Sequence, residues 1–358
     1  MMAYRVFLFL LFANISVCMP SYGQNEIRVR VVGDSIDKKD VLFVGEIHAC
    51  KEQDSFRSAI VNLAIKTYDI KNVVLEVGVS SAFLINRFIK NNDSSIFFYK
   101  IDPIFLKDLL KWKKANEALS ANDKITVYGV DFERMYFVKA LQLILKENKL
   151  SENTKLYNYI FSLPDSICTF DDLTIAHKKL RTRVYGEAKR IFQNEDLKSI
   201  VKVDYDVLEK IMKNPATEKH FSRRNRAMYL NIKNQIGRER FICVVGEDHT
   251  FYHNHEVNHS LLNLYANNSA NKGRITLIME IGENVSGYKD TYHKQGDQQN
   301  TLHRYLGPKS IIDNDSLLSF CYDRYYNPSE FPVVSEHSLG DIFYSTNHGV
   351  STYFVFLR

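Results

Sequence analysis

The apolar pattern of the chain is punctuated by short uninterrupted runs that each end in a charge. Val41 to Val44 run into Gly45, and Glu46 and His48 follow at once. An unbroken run rich in Val and Phe predicts a strand buried on both faces. Similar runs occupy Asn72–Glu76, Ile125–Asp131, Phe241–Val245 and Arg274–Glu280. Between them the spacing becomes helical. Phe56, Ala59, Ile60, Leu63 and Ala64 mark a helix within Glu52–Ile70. Ser80 or Ser81 is placed to cap a helix reaching Ile89, and Asn91-Asn92-Asp93 closes it. Ile104–Leu119 reads as a third helix and carries the single tryptophan, Trp112.

Phe137 to about Gln235 reads as helical and highly charged, with a looser break near Pro164–Asp172. A short edge strand is expected at Glu26–Val32. Beyond Gly287 the chain turns polar, and Asp341–Tyr344 with Tyr353–Leu357 read as a closing pair of strands. Strands alternating with helices predict an α/β fold. Its expected form is a mostly parallel central sheet with helices on both faces and a helical insertion or cap at about 137–235. The expected organisation is a signal peptide at 1–23, an α/β domain at 24–283, and an extension at 284–358 that returns to the same domain.

The leader rests on Arg5, the apolar run Val6–Val17, and small residues at Ser21 and Gly23. This pattern predicts secretion with cleavage before Gln24, hence a periplasmic or extracellular protein with no transmembrane segment after processing. The 45% hydrophobic content is ample for a core, and 25% charged residues is ordinary for a soluble protein. The net charge of +5 is spread over 47 basic and 42 acidic residues, so it is a weak argument for nucleic acid, and the expected partner is a small-molecule substrate or ligand. Cys50, Cys168, Cys243 and Cys321 match no zinc spacing. Cys243, inside an apolar run, reads as a small core residue.

Five predicted strands each deliver ionisable residues at the carboxyl end: Glu46 with His48, Glu76, Asp131, Glu247 with His249, and Glu280. In a parallel sheet these ends share one rim, where open α/β sheets place ligands. Glu133 follows Asp131 closely. Clustered carboxylates repel, so they must share protons, hold a cation or pair with arginine. An imidazole beside a carboxylate suits a general base near neutral pH. Two histidines with several carboxylates also suit a divalent metal. Gly-x-Ser-x-Gly, Gly-x-Gly-x-x-Gly and Walker motifs are all missing from the sequence, which counts against a serine triad and against nucleotide enzymes.

Gly45-Glu46-Ile47-His48, Val74-Leu75-Glu76 and Tyr128-Gly129-Val130-Asp131 resemble motifs of the erythromycin esterase-like proteins. Arg224-Asn225-Arg226-Ala227-Met228-Tyr229-Leu230-Asn231 is similar to that family's Arg-Asp-x-x-Met-x-x-Asn helix, and Gly246-Glu247-Asp248-His249 to its late histidine strand. The wider group includes haem-binding ChaN-type lipoproteins and Tiki/TraB-type proteases. The resemblance implies His48 as a water-activating base and Glu46 and Glu76 as groups that orient it. It implies His249 as stabiliser of the intermediate or proton donor to the leaving group. Arg224 would balance the carboxylates, with Arg57 a second candidate, and Asp131, Glu133, Glu247 and Glu280 would line the substrate site. The chain departs from the esterases' Gly-Glu-x-x-His in having one residue fewer, and this shorter form is more like the haem-binding branch. Three readings therefore stand: an exported hydrolase of esters or amides, a binding protein for haem or a divalent metal, or a catalytically silent relative in which the rim is vestigial.

Overall fold

The computed structural model describes residues 28–32, 40–46, 51–94, 103–150, 154–164, 166–167, 174–215, 220–250, 260–271, 273–282, 330–335 and 350–357. For 28–32, 51–54, 103–104, 247, 279–282, 330–335 and 350–357 it describes the backbone alone. The apolar runs form the middle of a sheet. β1 is Arg28–Val32, β2 Val41–Glu46, β3 Asn72–Gly78, β4 Thr126–Asp131, β5 Phe241–Gly246, β6 Ile275–Gly282, β7 Glu330–Ser335 and β8 Val350–Leu357. Their spatial order is β1-β7-β8-β6-β2-β5-β3-β4. Neighbours from β8 to β4 pair in parallel, and β7 runs antiparallel to β8 while pairing in parallel with β1. The sheet is thus mostly parallel, as the alternation of strands and helices predicts.

The helices are α1 Lys51–Tyr68, α2 Val79–Asn91, α3 Pro103–Glu117, α4 Tyr136–Glu147, α5 Lys155–Ser162, α6 Ile175–Asn194, α7 Tyr205–Lys213, α8 Phe221–Gln235 and α9 Leu261–Ala266. Alternate strand residues Leu42, Val44, Val73, Leu75, Ile242 and Val244 face α1, α2 and α3 in one core. Their opposite neighbours face α8 and α9. There Phe43 and Phe241 meet Tyr265 of α9 with ring centroids 5.7 and 5.6 Å apart. The period-two alternation within fully buried strands produces these two cores. A second large cluster lies away from the sheet, where α4, α5, α6 and α7 pack with Val79, Phe83 and Leu84 of α2.

The chain order sets where the strand ends meet. From β2 the chain moves outward to β3 and β4, then returns to insert β5 between β2 and β3 before placing β6 on the far side of β2. Such a reversal opens a crevice at the carboxyl ends of the strands it separates. On β3 one extra residue between Leu75 and Gly78 breaks the register with β4. A bulge of this kind bends a strand and re-aims its side chains. It also drives Gly78 onto Gly129, where an added Cβ would lie 2.2 Å from the Gly78 carbonyl oxygen, so only glycine fits there.

Two expectations need correction, and a third lies outside the described residues. The cap of α2 is neither Ser80 nor Ser81; Gly78 stands at that position without a side-chain bond. The strand paired with β8 at the end of the chain is Glu330–Ser335, and Asp341–Tyr344 lies outside the described residues. Pro332 hides β7 from a reading of the sequence, since proline cannot donate to a ladder. It stands in register with Arg30 of β1, and pairing with β8 starts only at Val333. The leader, with its cleavage point before Gln24, also lies outside the described residues.

Candidate functional site

Glu76 and Asp131 end neighbouring strands and would repel each other without a cation. Arg224 of α8 lies between them. Its Nε and Nη2 donate to the two oxygens of Asp131 at 2.8 and 2.9 Å, and Nη2 also donates to Oε1 of Glu76. This is the planar, forked recognition of carboxylate for which arginine is suited. Burial opposes the charge on Arg224, yet Asp131 and Glu76 more than offset it and raise its pKa. The second oxygen of Glu76 accepts the Gly246 amide at 2.7 Å. Backbone pairing between β3 and β5 stops at Leu75 with Val244, and the carboxylate takes up the amide two residues further on.

His249 follows β5 in a short 3-10 turn, Glu247–His249. Its ring is buried, its Nε2 lies 3.5 Å from Oε1 of Glu76, and its Nδ1 meets Oδ1 of Asn225. Phe221 stacks on the ring with centroids 4.9 Å apart and planes 23° from parallel. Phe221, Arg224 and Asn225 stand at helical positions i, i+3 and i+4, so one face of α8 supplies all three. The same helix is anchored along the free edge of β4. Asn231 donates to the Val130 carbonyl at 2.9 Å, and Gln235 to that of Gly129 at 3.1 Å. These bonds satisfy carbonyls that an outer strand would otherwise leave unpaired.

Glu46 is buried at the end of β2 and faces Arg57 of α1, with Nη1 to Oε1 at 3.6 Å. Gly246 is its register partner, so the residue that binds Glu76 also sits beside Glu46. Beneath them Cys243 is fully buried, and burial followed by the nearby charges of Glu76 and Glu46 raises its thiol pKa.

Glu133 stands apart from this cluster. It is buried and turned into the start of α2. Oε1 accepts from the Val79 amide at 2.8 Å and from Asn214 Nδ2 at 2.7 Å; Oε2 accepts from the Ser80 amide at 3.2 Å and from the Ser80 hydroxyl. Both oxygens are committed to holding a helix end, which is a different occupation from the substrate contact expected of it. Burial pushes this carboxyl up to about 7, and the four donors pull less strongly the other way.

His48 lies outside the described residues, as do the side chains of Glu247 and Glu280. The backbone of Glu280 follows directly on Met279, the last residue of β6 paired with β2. The side chains brought together are therefore Glu76, Asp131, Arg224 and His249, with Glu46 and Arg57 paired nearby. Asn225 follows Arg224 directly in the motif, but its role comes only from the structure. Phe221 and Phe132 likewise carry no signal in the motifs; the Phe132 ring has the Arg224 and Arg181 guanidinium groups 5.2 and 4.9 Å from its centroid. Four-residue spacing on α8 is the signal that would have found Phe221 and Asn225 together.

Among the described residues no group of three or more His, Cys, Asp or Glu is placed to hold a metal ion. Arg224 occupies the position between Glu76 and Asp131 where a metal would have to bind both. Nδ1 of His249 is engaged by Asn225, while Nε2 lies 3.5 Å from Glu76. No helix among the described residues is long and apolar enough to cross a membrane.

No protein-family model matches the sequence, and no curated protein matches it. Among solved structures, the chain is similar to a mutant of the erythromycin esterase EreC in its open conformation. The identity is 11%, the match covers 90% of this chain and 91% of that one, and the TM-score is 0.49. It is also similar to a Bacillus cereus protein, at 16% identity over 72% of each chain with a TM-score of 0.46. A third is ChaN of Campylobacter jejuni with cofacial haem, at 16% identity, 68% of this chain, 82% of that one, and a TM-score of 0.27. What this chain does is a matter for its own side chains.

Proposed function

We propose that the rim is a hydrolytic site where histidine activates water against an ester or amide of a small molecule, in an exported protein. The observation that carries this reading is His249, an imidazole held between Asn225 and Glu76 while Arg224 and the Gly246 amide fix that carboxylate. A buried imidazole with one nitrogen engaged and the other beside an oriented carboxylate is equipped to transfer a proton.

In this reading His48, two residues beyond Glu46, takes a proton from water. The hydroxide so formed adds to the carbonyl carbon. As the intermediate collapses, the bond to the leaving oxygen or nitrogen breaks. His249, entering the step as imidazolium with hydrogen on both nitrogens, gives that atom the proton from Nε2 and is left neutral. The proton held by His48 passes through solvent to restore His249 for the next turnover. Glu46 and Glu76 orient the two imidazoles, and Arg224 keeps Glu76 ionised and in place. Glu247 and Glu280 are the carboxylates this reading assigns to substrate contact, while Asp131 acts through Arg224.

The shortened Gly45-Glu46-Ile47-His48 favours one other reading, a haem- or metal-binding protein with His48 as ligand. The full chain, screened against simple esters, lactones and amides, separates the two. The hydrolytic reading expects turnover that falls at least about a hundredfold in His48→Ala with the fold retained. A Soret band or stoichiometric bound metal without turnover supports the binding reading and overturns this one.

A further inference from the structure

Asn225 is fully buried, and its Oδ1 is directed at Nδ1 of His249. An imidazole has two nitrogens, and the one that exchanges its proton is set by what the other one bonds. An amide oxygen only accepts, so Nδ1 must carry hydrogen to meet it. The remaining nitrogen, Nε2, faces Oε1 of Glu76 at 3.5 Å. When unprotonated it offers a lone pair to the rim, and when protonated it finds a carboxylate oxygen as acceptor. Rotation of the ring is blocked by Phe221, which lies nearly parallel against it. Phe221 and Asn225 come from successive turns of α8, and Asn231 and Gln235 hold that helix on β4. The setting of the ring is thus transmitted from the sheet edge through one helix.

We infer that Asn225 is a positioning residue that keeps Nδ1 of His249 protonated and makes Nε2, beside Glu76, the nitrogen that exchanges a proton with substrate. The inference rests on the hydrolytic reading for its consequence but not for its test, because the tautomer is a property of the protein alone. The reverse assignment, with the amide turned so that its NH2 donates to a bare Nδ1, would place the hydrogen permanently on Nε2. The oxygen's direction and the roles of the two nitrogens are therefore one question with one answer.

Two-bond 1H–15N correlation spectra of the full chain with labelled histidine read the tautomer directly. His249 is assigned by the signal lost in His249→Gln. At a pH where the ring is neutral, the expected pattern is Nδ1 protonated and Nε2 bare in the unmodified protein. Asn225→Asp, which keeps an acceptor oxygen, retains that pattern, and Asn225→Ala loses it. A neutral ring protonated at Nε2 in the unmodified protein overturns the inference without any variant. So does an unchanged tautomer in a folded Asn225→Ala. Turnover can fail while the tautomer holds, in which case hydrolysis falls and the positioning role stands.

Discussion

Asp131 and Glu133 lie two residues apart at the end of the same strand, and the structure gives them opposite surroundings. The Asp131 side chain is fully buried and meets a guanidinium through both oxygens. Glu133 is equally buried and has four neutral donors and no cation among its bonding partners. One carboxylate thereby becomes part of a charged cluster at the rim. The other becomes the cap of a helix that begins 54 residues earlier in the chain. A carboxylate at a strand end is therefore not yet a site; the group it meets decides its role.

Removing the cation breaks the comparison most severely. Arg224→Met leaves Asp131 buried and unpaired and Glu76 without its clamp. Breaking a buried pair from one side costs about 3–5 kcal/mol, which urea unfolding of the full chain will measure. Adding Asp131→Asn to that variant removes the stranded charge and returns a large part of the loss.

Acidity sharpens the other half. Burial lifts the Glu133 carboxyl from 4.5 to about 7. The folded chain then holds this proton more tightly than the unfolded chain does. Its stabilising contribution is complete below pH 4.5 and is lost as pH rises through 7, roughly 3 kcal/mol in all. Glu133→Gln cannot ionise, so the fall in unfolding free energy between pH 4.5 and 8 shrinks by that order relative to the unmodified protein. An unchanged slope would mean that the four donors hold Glu133 ionised throughout.

The smallest effect is expected at Arg57. Its contact with Glu46 is 3.6 Å long and the guanidinium is partly exposed. Arg57→Lys keeps the charge and shifts the unfolding free energy by less than about 1 kcal/mol. A loss as large as that of Arg224→Met would mean that the Glu46 pair belongs to the same buried network.

Much of this organisation is legible in the sequence because it is local. The runs ending at Glu46, Glu76 and Asp131 announce both strand and charge, and Asn92 stops α2 with a left-handed backbone at φ 60°. What stayed hidden depends on distant pairing. The cap of α2 comes from Glu133 through the fold, and no neighbouring serine could reveal it. The use of Asn225 depends on α8 crossing β4 in one register, which its polar face alone does not specify. β7 is hidden because Pro332 looks like a strand breaker, and its place opposite Arg30 of β1 is set only by the fold.

The most direct test of the account is whether Glu76 and His249 work as one unit. The measurement is kcat/KM of the full chain on its best ester for Glu76→Gln, His249→Ala and the double variant, each confirmed folded. Each single change is predicted to lower kcat/KM by at least about a hundredfold. The pair together should be no worse than the more severe single, since residues acting as a unit are not additive. Losses that multiply, or a His249→Ala protein as active as the original, would contradict it.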